Sequence, residues 1–198
     1  MVEDLETLSA CPLDRVWTAG HFGRPDTTGI TLRRSYAGSL VQLSLFPGQQ
    51  EKALAKLKKP GIATLPEDGT AIFGTPLSIY SLGGGRYLLE SRAADLEQKL
   101  RAAIVADIGS VTDLSSARTI LTLTGPDVET VLSKGVAMDF SNQSFPVGKV
   151  AQSTAHHMPL MIVRSKSDEF RLFAFSSYAQ STLHWLETAS HDHGFERV

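Results

Sequence analysis

Thr119-Ile-Leu-Thr-Leu-Thr-Gly-Pro-Asp-Val-Glu-Thr-Val-Leu-Ser-Lys-Gly135 is the stretch from which the fold of this chain can be worked out. In its first six residues Thr119, Leu121 and Leu123 alternate with Ile120, Thr122 and Thr124, a period of two that predicts a strand. Gly125-Pro126-Asp127 then changes the period. Pro126 has the φ angle of a first helical residue, and Asp127 and Glu129 complement the positive end of the helix dipole. Val128, Val131 and Leu132 supply a buried stripe, and Lys134-Gly135 is the stop signal.

The same alternation of strands and helices extends in both directions. Downstream, strands are expected at Val150 to His156, Leu160 to Arg164 and Phe170 to Phe175, with a turn over Ser165 to Asp168. A closing helix over Tyr178 to Ala189 would turn Ala179, Leu183 and Leu186 inward, with Trp185 flanking that stripe. Upstream, Val41, Leu43 and Leu45 alternate with Gln42 and Ser44, a half-buried strand ended by Pro47-Gly48. A helix over Gln49 to Lys59 carries the stripe Ala53, Leu54 and Leu57 and stops at Pro60-Gly61. Leu77 to Leu82 and Arg86 to Glu90 flank Gly83-Gly84-Gly85, a hairpin whose turn needs the positive φ that glycine supplies. Ala93 to Val105 is the most regular helical pattern, with Leu96, Leu100, Ala103 and Ile104 on one face and a Glu97–Arg101 pair outside.

Each half thus reads strand, helix, two or more strands, helix. That order predicts an α+β fold of two small modules, each an antiparallel sheet with helices packed on one side. The expected divisions are an irregular lead-in over 1–28, a first module over 29–108 and a second over 109–198. Val16, Trp17 and Phe22 could dock the lead-in onto the body. The halves share no residue-level identity.

Composition bounds the function. Hydrophobic residues are 42% and charged residues 20% of 198, which is globular chemistry. A net charge of −2 gives no reason to expect nucleic acid, since phosphate binding needs clustered cations. The one basic cluster, Lys56, Lys58 and Lys59 beside Glu51, reads as a solvated helix face. No apolar run approaches the ~20 residues of a membrane span, and the acidic Met1 to Glu6 lacks the layout of a signal peptide. The single Cys11 precludes an internal disulfide and fits a reducing cytoplasm; before Pro12 it reads as an unpaired surface or linker thiol. A soluble, cytoplasmic protein with no membrane or nucleic-acid partner is the expectation.

Chemical signals are sparse. Gly83-Gly84-Gly85 precedes a strand, not the helix that a phosphate loop requires. His156 and His157, as strand neighbours, would point to opposite faces and could not share a metal; His191-Asp192-His193 reads as a solvated tail. Asp113, Ser115, Ser116 and Arg118 combine an acid, two hydroxyls and a base, but no histidine lies nearby to activate a serine. A local turn hydrogen-bonded by Asp113 and Ser115 is the expected arrangement. No catalytic, cofactor-binding or metal residue is assigned.

One resemblance goes beyond these patterns. Val111-Thr-Asp-Leu-Ser-Ser-Ala-Arg-Thr-Ile-Leu-Thr-Leu-Thr-Gly-Pro-Asp127 resembles the central segment of the gamma subunit of heterotetrameric sarcosine oxidase, where a D-x-S-x-A-R-T strand runs into a G-P-D helix start. The likeness continues through Leu132 to Gly135, Met138-Asp139-Phe140, Phe145-Pro146, Gly148, Ala151-Gln152-Ser153, Ser177-Tyr178-Ala179 and Trp185-Leu186. It extends more loosely to Ser78–Glu90. Ser116 and Val136 depart from it, where relatives tend to carry a histidine and a cysteine. The G-P-D joint also occurs in the T-protein (aminomethyltransferase) of glycine cleavage, so part of the T-protein fold is implied.

The resemblance implies a non-catalytic structural subunit in a complex with alpha, beta and delta subunits that oxidatively demethylates sarcosine to glycine, with tetrahydrofolate as one-carbon acceptor. FAD would lie in beta, FMN between alpha and beta, NAD and folate in alpha, and zinc in delta, with no cofactor in this chain. A stand-alone folate-binding or aminomethyl-transferring protein is the alternative. The particular N-methylated amine is left open.

Overall fold

Strands β1 (Gly20–Phe22), β2 (Ile30–Ser35) and β3 (Ser39–Leu45) lead to helix α1 (Gln50–Leu57) in the computed structural model, which describes residues 11–198. Strands β4 (Ala71–Ile72), β5 (Leu77–Gly83) and β6 (Arg86–Ser91) follow, then helix α2 (Leu96–Ala103) and strand β7 (Gly109–Asp113). Strand β8 (Arg118–Thr124) runs into helix α3 (Val128–Ser133), followed by β9 (Val150–Ala155), β10 (Met158–Lys166) and β11 (Glu169–Phe175). Helix α4 (Ala179–Ser190) and strand β12 (Phe195–Arg197) complete the order. The acidic stretch Met1 to Glu6 lies outside the described residues.

The chain divides into two compact units, residues 37–115 and residues 11–36 with 116–198. The first holds an antiparallel sheet in the order β4-β5-β6-β3-β7. Val41, Leu43 and Leu45 of β3, Leu89 of β6 and Val111 of β7 pack with Ala53 and Leu57 of α1 and Leu96 and Leu100 of α2. Burying each such side chain contributes about 1.5–3 kcal/mol, which fixes the helices on one face of the sheet. The three turn glycines of the β5–β6 hairpin all have positive φ, at 81°, 61° and 74°.

The second unit holds a seven-stranded sheet in the order β1-β12-β2-β8-β11-β10-β9. Leu32, Leu121, Leu123, Phe170 and Leu172 from the strands meet Val128, Val131 and Leu132 of α3 and Ala179, Leu183 and Leu186 of α4. Trp185, expected only to flank the α4 stripe, is buried with it. Phe140 meets Phe145 and Phe170 edge-on at centroid distances of 5.6 and 5.8 Å, and Phe145 stacks on Phe170 at 6.2 Å.

Three features depart from the sequence reading. The unit boundaries fall at 36/37 and 115/116, where 28/29 and 108/109 were expected. β2 leaves the first module because it pairs with β8, Leu32 opposite Leu123, and β7 stays in it because Val111 lies opposite Leu43. The sheet of the second unit is not wholly antiparallel, since β12 runs parallel to β2. His191 and Asp192 are exposed, as a solvated segment requires, but the residues after them are docked and not a loose tail. His191–His193 forms one 3-10 turn, Gly194 takes φ 66°, and Phe195 and Arg197 are 3% and 8% exposed. The lead-in is likewise docked, with Leu13 fully buried and Trp17 and Phe22 against the core.

Gly125 shows why the strand-to-helix joint needs its residue types. Its φ is 134°, and a Cβ there would stand 2.2 Å from the Gly29 carbonyl oxygen. Val128 is the first helical residue and Asp127 precedes it, so Pro126 stands two places before the position expected for it. The Asp127 carboxylate does not cap α3; it lies 3.1 Å from Nδ1 of His193 and ties the joint to the β12 approach.

Candidate functional site

The residues singled out from sequence are dispersed, and most are engaged locally. Ser115 donates to Asp113 Oδ1 through both its amide, at 2.9 Å, and its hydroxyl, at 2.6 Å. The same hydroxyl accepts the Leu40 amide at 3.0 Å. Its proton and an acceptor position are therefore committed to shaping the end of β7, as a local turn requires. Arg118 belongs to the other unit, where its guanidinium lies 3.6 Å from the centroid of the Phe175 ring. Burial pulls its pKa below the ordinary arginine value.

His156 is not the last residue of a strand. With His157 it forms the two-residue turn between β9 and β10, at φ 53°, and its amide donates to the Gly135 carbonyl at 3.0 Å. Two-residue hairpins favour such positive φ, which a non-glycine residue adopts at a cost. Its ring meets Trp185 edge-on at 6.4 Å. Among the described residues no group of three or more His, Cys, Asp or Glu side chains stands within metal-holding distance. Cys11 is half-buried against the core of its unit, not a surface thiol, and its amide donates to Asp14 Oδ2 at 2.8 Å. Lys56, Lys58 and Lys59 are exposed.

The densest polar cluster escaped the sequence reading because it centres on one arginine in an apolar strand. Arg164 of β10 is 3% exposed. One terminal nitrogen donates to the carbonyls of Phe140, at 2.9 Å, and Phe145, at 3.1 Å. The other reaches Glu129 Oε1 at 2.7 Å and the Ser167 carbonyl, and Nε lies 3.4 Å from the Lys166 carbonyl. The guanidinium also stands 5.0 Å from the centroid of the Phe170 ring. A planar fork with five N–H groups meets these five acceptors with little donor capacity left over. The cluster is a clasp that joins α3, β10 and the 140–145 loop.

A second cluster pins the lead-in. Arg34 donates to Asp14 Oδ1 at 2.6 Å and lies over the rings of Trp17, at 5.1 Å, and Tyr36, at 5.7 Å. Arg197 of β12 lies over Trp17 and Phe22 and donates to Glu187 at 2.6 Å. Desolvation, with smaller effects from Asp14 and Cys11, pushes the Tyr36 hydroxyl up to about 12.

On the sheet face away from α3 and α4 lies a polar cavity of about 220 Å³. Thr31 and Arg33 of β2, Thr122 and Thr124 of β8, Glu169, Lys166 and Val198 line it. Cross-strand register brings them together, with Arg33 opposite Thr122 and Thr124 opposite both Thr31 and Glu169. The Glu169 side chain is 11% exposed and accepts from Lys166 at 2.9 Å and from Ser165 at 2.7 Å; Arg33 stands 4.0 Å away. Burial raises its pKa, but the hydrogen bonds from Lys166 and Ser165 and the charges of Lys166 and Arg33 outweigh that, and the net shift is downward.

A family model described as "Sarcosine oxidase, gamma subunit family" matches residues 77–192. The gamma subunit of sarcosine oxidase from Corynebacterium sp. (strain U-96) is 29% identical over 161 residues, 79% of this chain and 77% of that one. Its counterpart from Arthrobacter sp is 28% identical over 160 residues, 79% of this chain and 78% of that one. Among solved structures, heterotetrameric sarcosine oxidase from Corynebacterium sp. U-96, in complex with pyrrole 2-carboxylate, contains a chain with a TM-score of 0.80. That match has 23% identity and covers 93% of this chain and 97% of that one. Glycine cleavage system aminomethyltransferase T from Bartonella henselae has a TM-score of 0.62 and 18% identity, over 91% of this chain and 55% of that one. The likeness to both structures bears out the α+β, T-protein-like fold, and the family match covers more than half of the chain. The chain belongs to the sarcosine oxidase gamma subunit family.

Proposed function

We propose that this chain is a non-catalytic assembly subunit of a sarcosine oxidase complex, in which partner chains carry out the oxidative demethylation of sarcosine to glycine. The family match over 77–192 carries this reading. The polar groups support it: Ser115 is held by Asp113 and Leu40, and Arg164 serves backbone carbonyls of its own unit. The partners in this reading are alpha, beta and delta subunits holding FAD, FMN, NAD, tetrahydrofolate and zinc between them, in the cytoplasm.

A subunit of this kind acts by binding the native form of its partners, which raises their stability by mass action. Co-expression with the large subunits tests it. The chain should co-elute with them in a fixed ratio on a sizing column, and its deletion should lower the yield or lifetime of the flavin-loaded complex. A chain that never joins them refutes the proposal. Saturable tetrahydrofolate binding by the isolated chain, followed through Trp17 and Trp185 fluorescence, would favour the aminomethyltransferase-like alternative.

A further inference from the structure

The cavity over β2, β8 and β11 has more donors than its own carboxylate uses. Two cations, Arg33 and Lys166, and one acidic side chain, Glu169, line it. Glu169 is already served by Lys166 and Ser165, so Arg33, 57% exposed and 4.0 Å away, adds only a long contact and keeps most of its N–H groups. A guanidinium is shaped to hold a carboxylate through two parallel hydrogen bonds, and arginine is enriched among the residues that dominate protein interfaces. The lining is polar, with Thr31, Thr122 and Thr124 beside the charged groups. The volume, about 220 Å³, falls below the ~300–1,000 Å³ of sites that enclose drug-sized ligands. Size and charge thus suit one side chain better than a cofactor.

We propose that this cavity receives an acidic side chain, an Asp or Glu carboxylate, of the partner chain on which the subunit assembles; this rests on the assembly reading above. The incoming carboxylate pairs with Arg33 and Lys166, while Glu169 holds Lys166 in place at 2.9 Å.

The test is a charge-matched comparison in the co-expressed complex. The double variant Arg33→Glu/Lys166→Glu changes net charge by the same amount as Lys52→Glu/Lys56→Glu, which alters two exposed lysines of α1. Affinity for the large subunits is measured at low and moderate salt. The cavity variant should bind at least about tenfold more weakly, with a reduced salt dependence, and the α1 variant within about threefold of wild type. Arg33→Ala/Lys166→Ala, which adds no repulsion against Glu169, should show the same loss if the first variant folds poorly. Equal effects of the cavity and α1 variants, or no effect of the alanine pair, overturn the cavity proposal alone. A wild-type chain that never associates overturns the assembly reading with it.

Discussion

Replacing Arg164 by methionine should be among the costliest single changes in the second unit. Methionine keeps an unbranched stem but removes every N–H of the guanidinium. The buried carbonyls of Phe140 and Phe145 then lose their donor, and each orphaned acceptor costs about 1–3 kcal/mol. The partly buried carbonyls of Ser167 and Lys166 add less, because water can reach them. Glu129 is 44% exposed, so its carboxylate is resolvated when the pair is broken and contributes little. The sum is about 3–5 kcal/mol for Arg164→Met, against about 0–1 kcal/mol for Glu129→Gln, which removes only the exposed partner. Urea unfolding followed by Trp17 and Trp185 fluorescence measures both, since the two tryptophans belong to the same unit as Arg164. A cost below about 1 kcal/mol for Arg164→Met refutes the clasp. Equal costs for the two variants also refute it, because the ion pair and not the carbonyls would then be the source of stability.

Three further expectations follow from the packing and the charges. Glu169 has a folded pKa below its unfolded value of about 4.3, so the stability it contributes is present above that value and lost as pH falls through the lower folded one; Glu169→Gln should flatten that part of an acid-unfolding profile measured by circular dichroism. Leu132→Ala, at a site with no exposed surface, should cost about 2–4 kcal/mol in the same urea assay, while Pro126→Ala, outside the first turn of α3, should cost less than about 1 kcal/mol. In the assembled complex Asp113→Asn, Arg118→Gln and His156→Ala should each leave turnover per flavin near that of wild type; a fall of about a hundredfold with assembly intact would place a catalytic group in this chain.

What the sequence made legible was local in origin. The switch from period two to period 3.6 at Gly125 needs only neighbouring residues, and so does the glycine hairpin at 83–85; both stand in the structure as read. The parallel pairing of β12 with β2 was hidden, because three residues past a histidine-rich turn have no periodicity, and what holds them there is long-range: ladders to β1 and β2, the burial of Phe195 and Arg197, and the bond from Arg197 to Glu187. His156 was misplaced for a related reason. A turn normally announces itself with Asn-Gly or Asp-Gly, and here a histidine adopts positive φ because the Gly135 carbonyl holds its amide. Arg164 looked like the polar end of an apolar strand. Its role appears only when the 140–145 loop, some twenty residues earlier, folds its carbonyls over the guanidinium.

The place of β12 between β1 and β2 has a consequence for biosynthesis. Every other strand of that sheet precedes it in the chain, and the bond from the Thr27 hydroxyl to the His193 carbonyl spans 166 positions. While the polypeptide is being made, β2 can pair with β8 and the hydrophobic core can close, yet the opposite side of β2 stays an open row of amides and carbonyls until Phe195 to Arg197 emerge. Open strand edges recruit other chains, and pairings of such long range form late. A chain in which β12 has not yet paired would therefore keep an adhesive edge on β2. Pairing of β12 between β1 and β2 covers that edge.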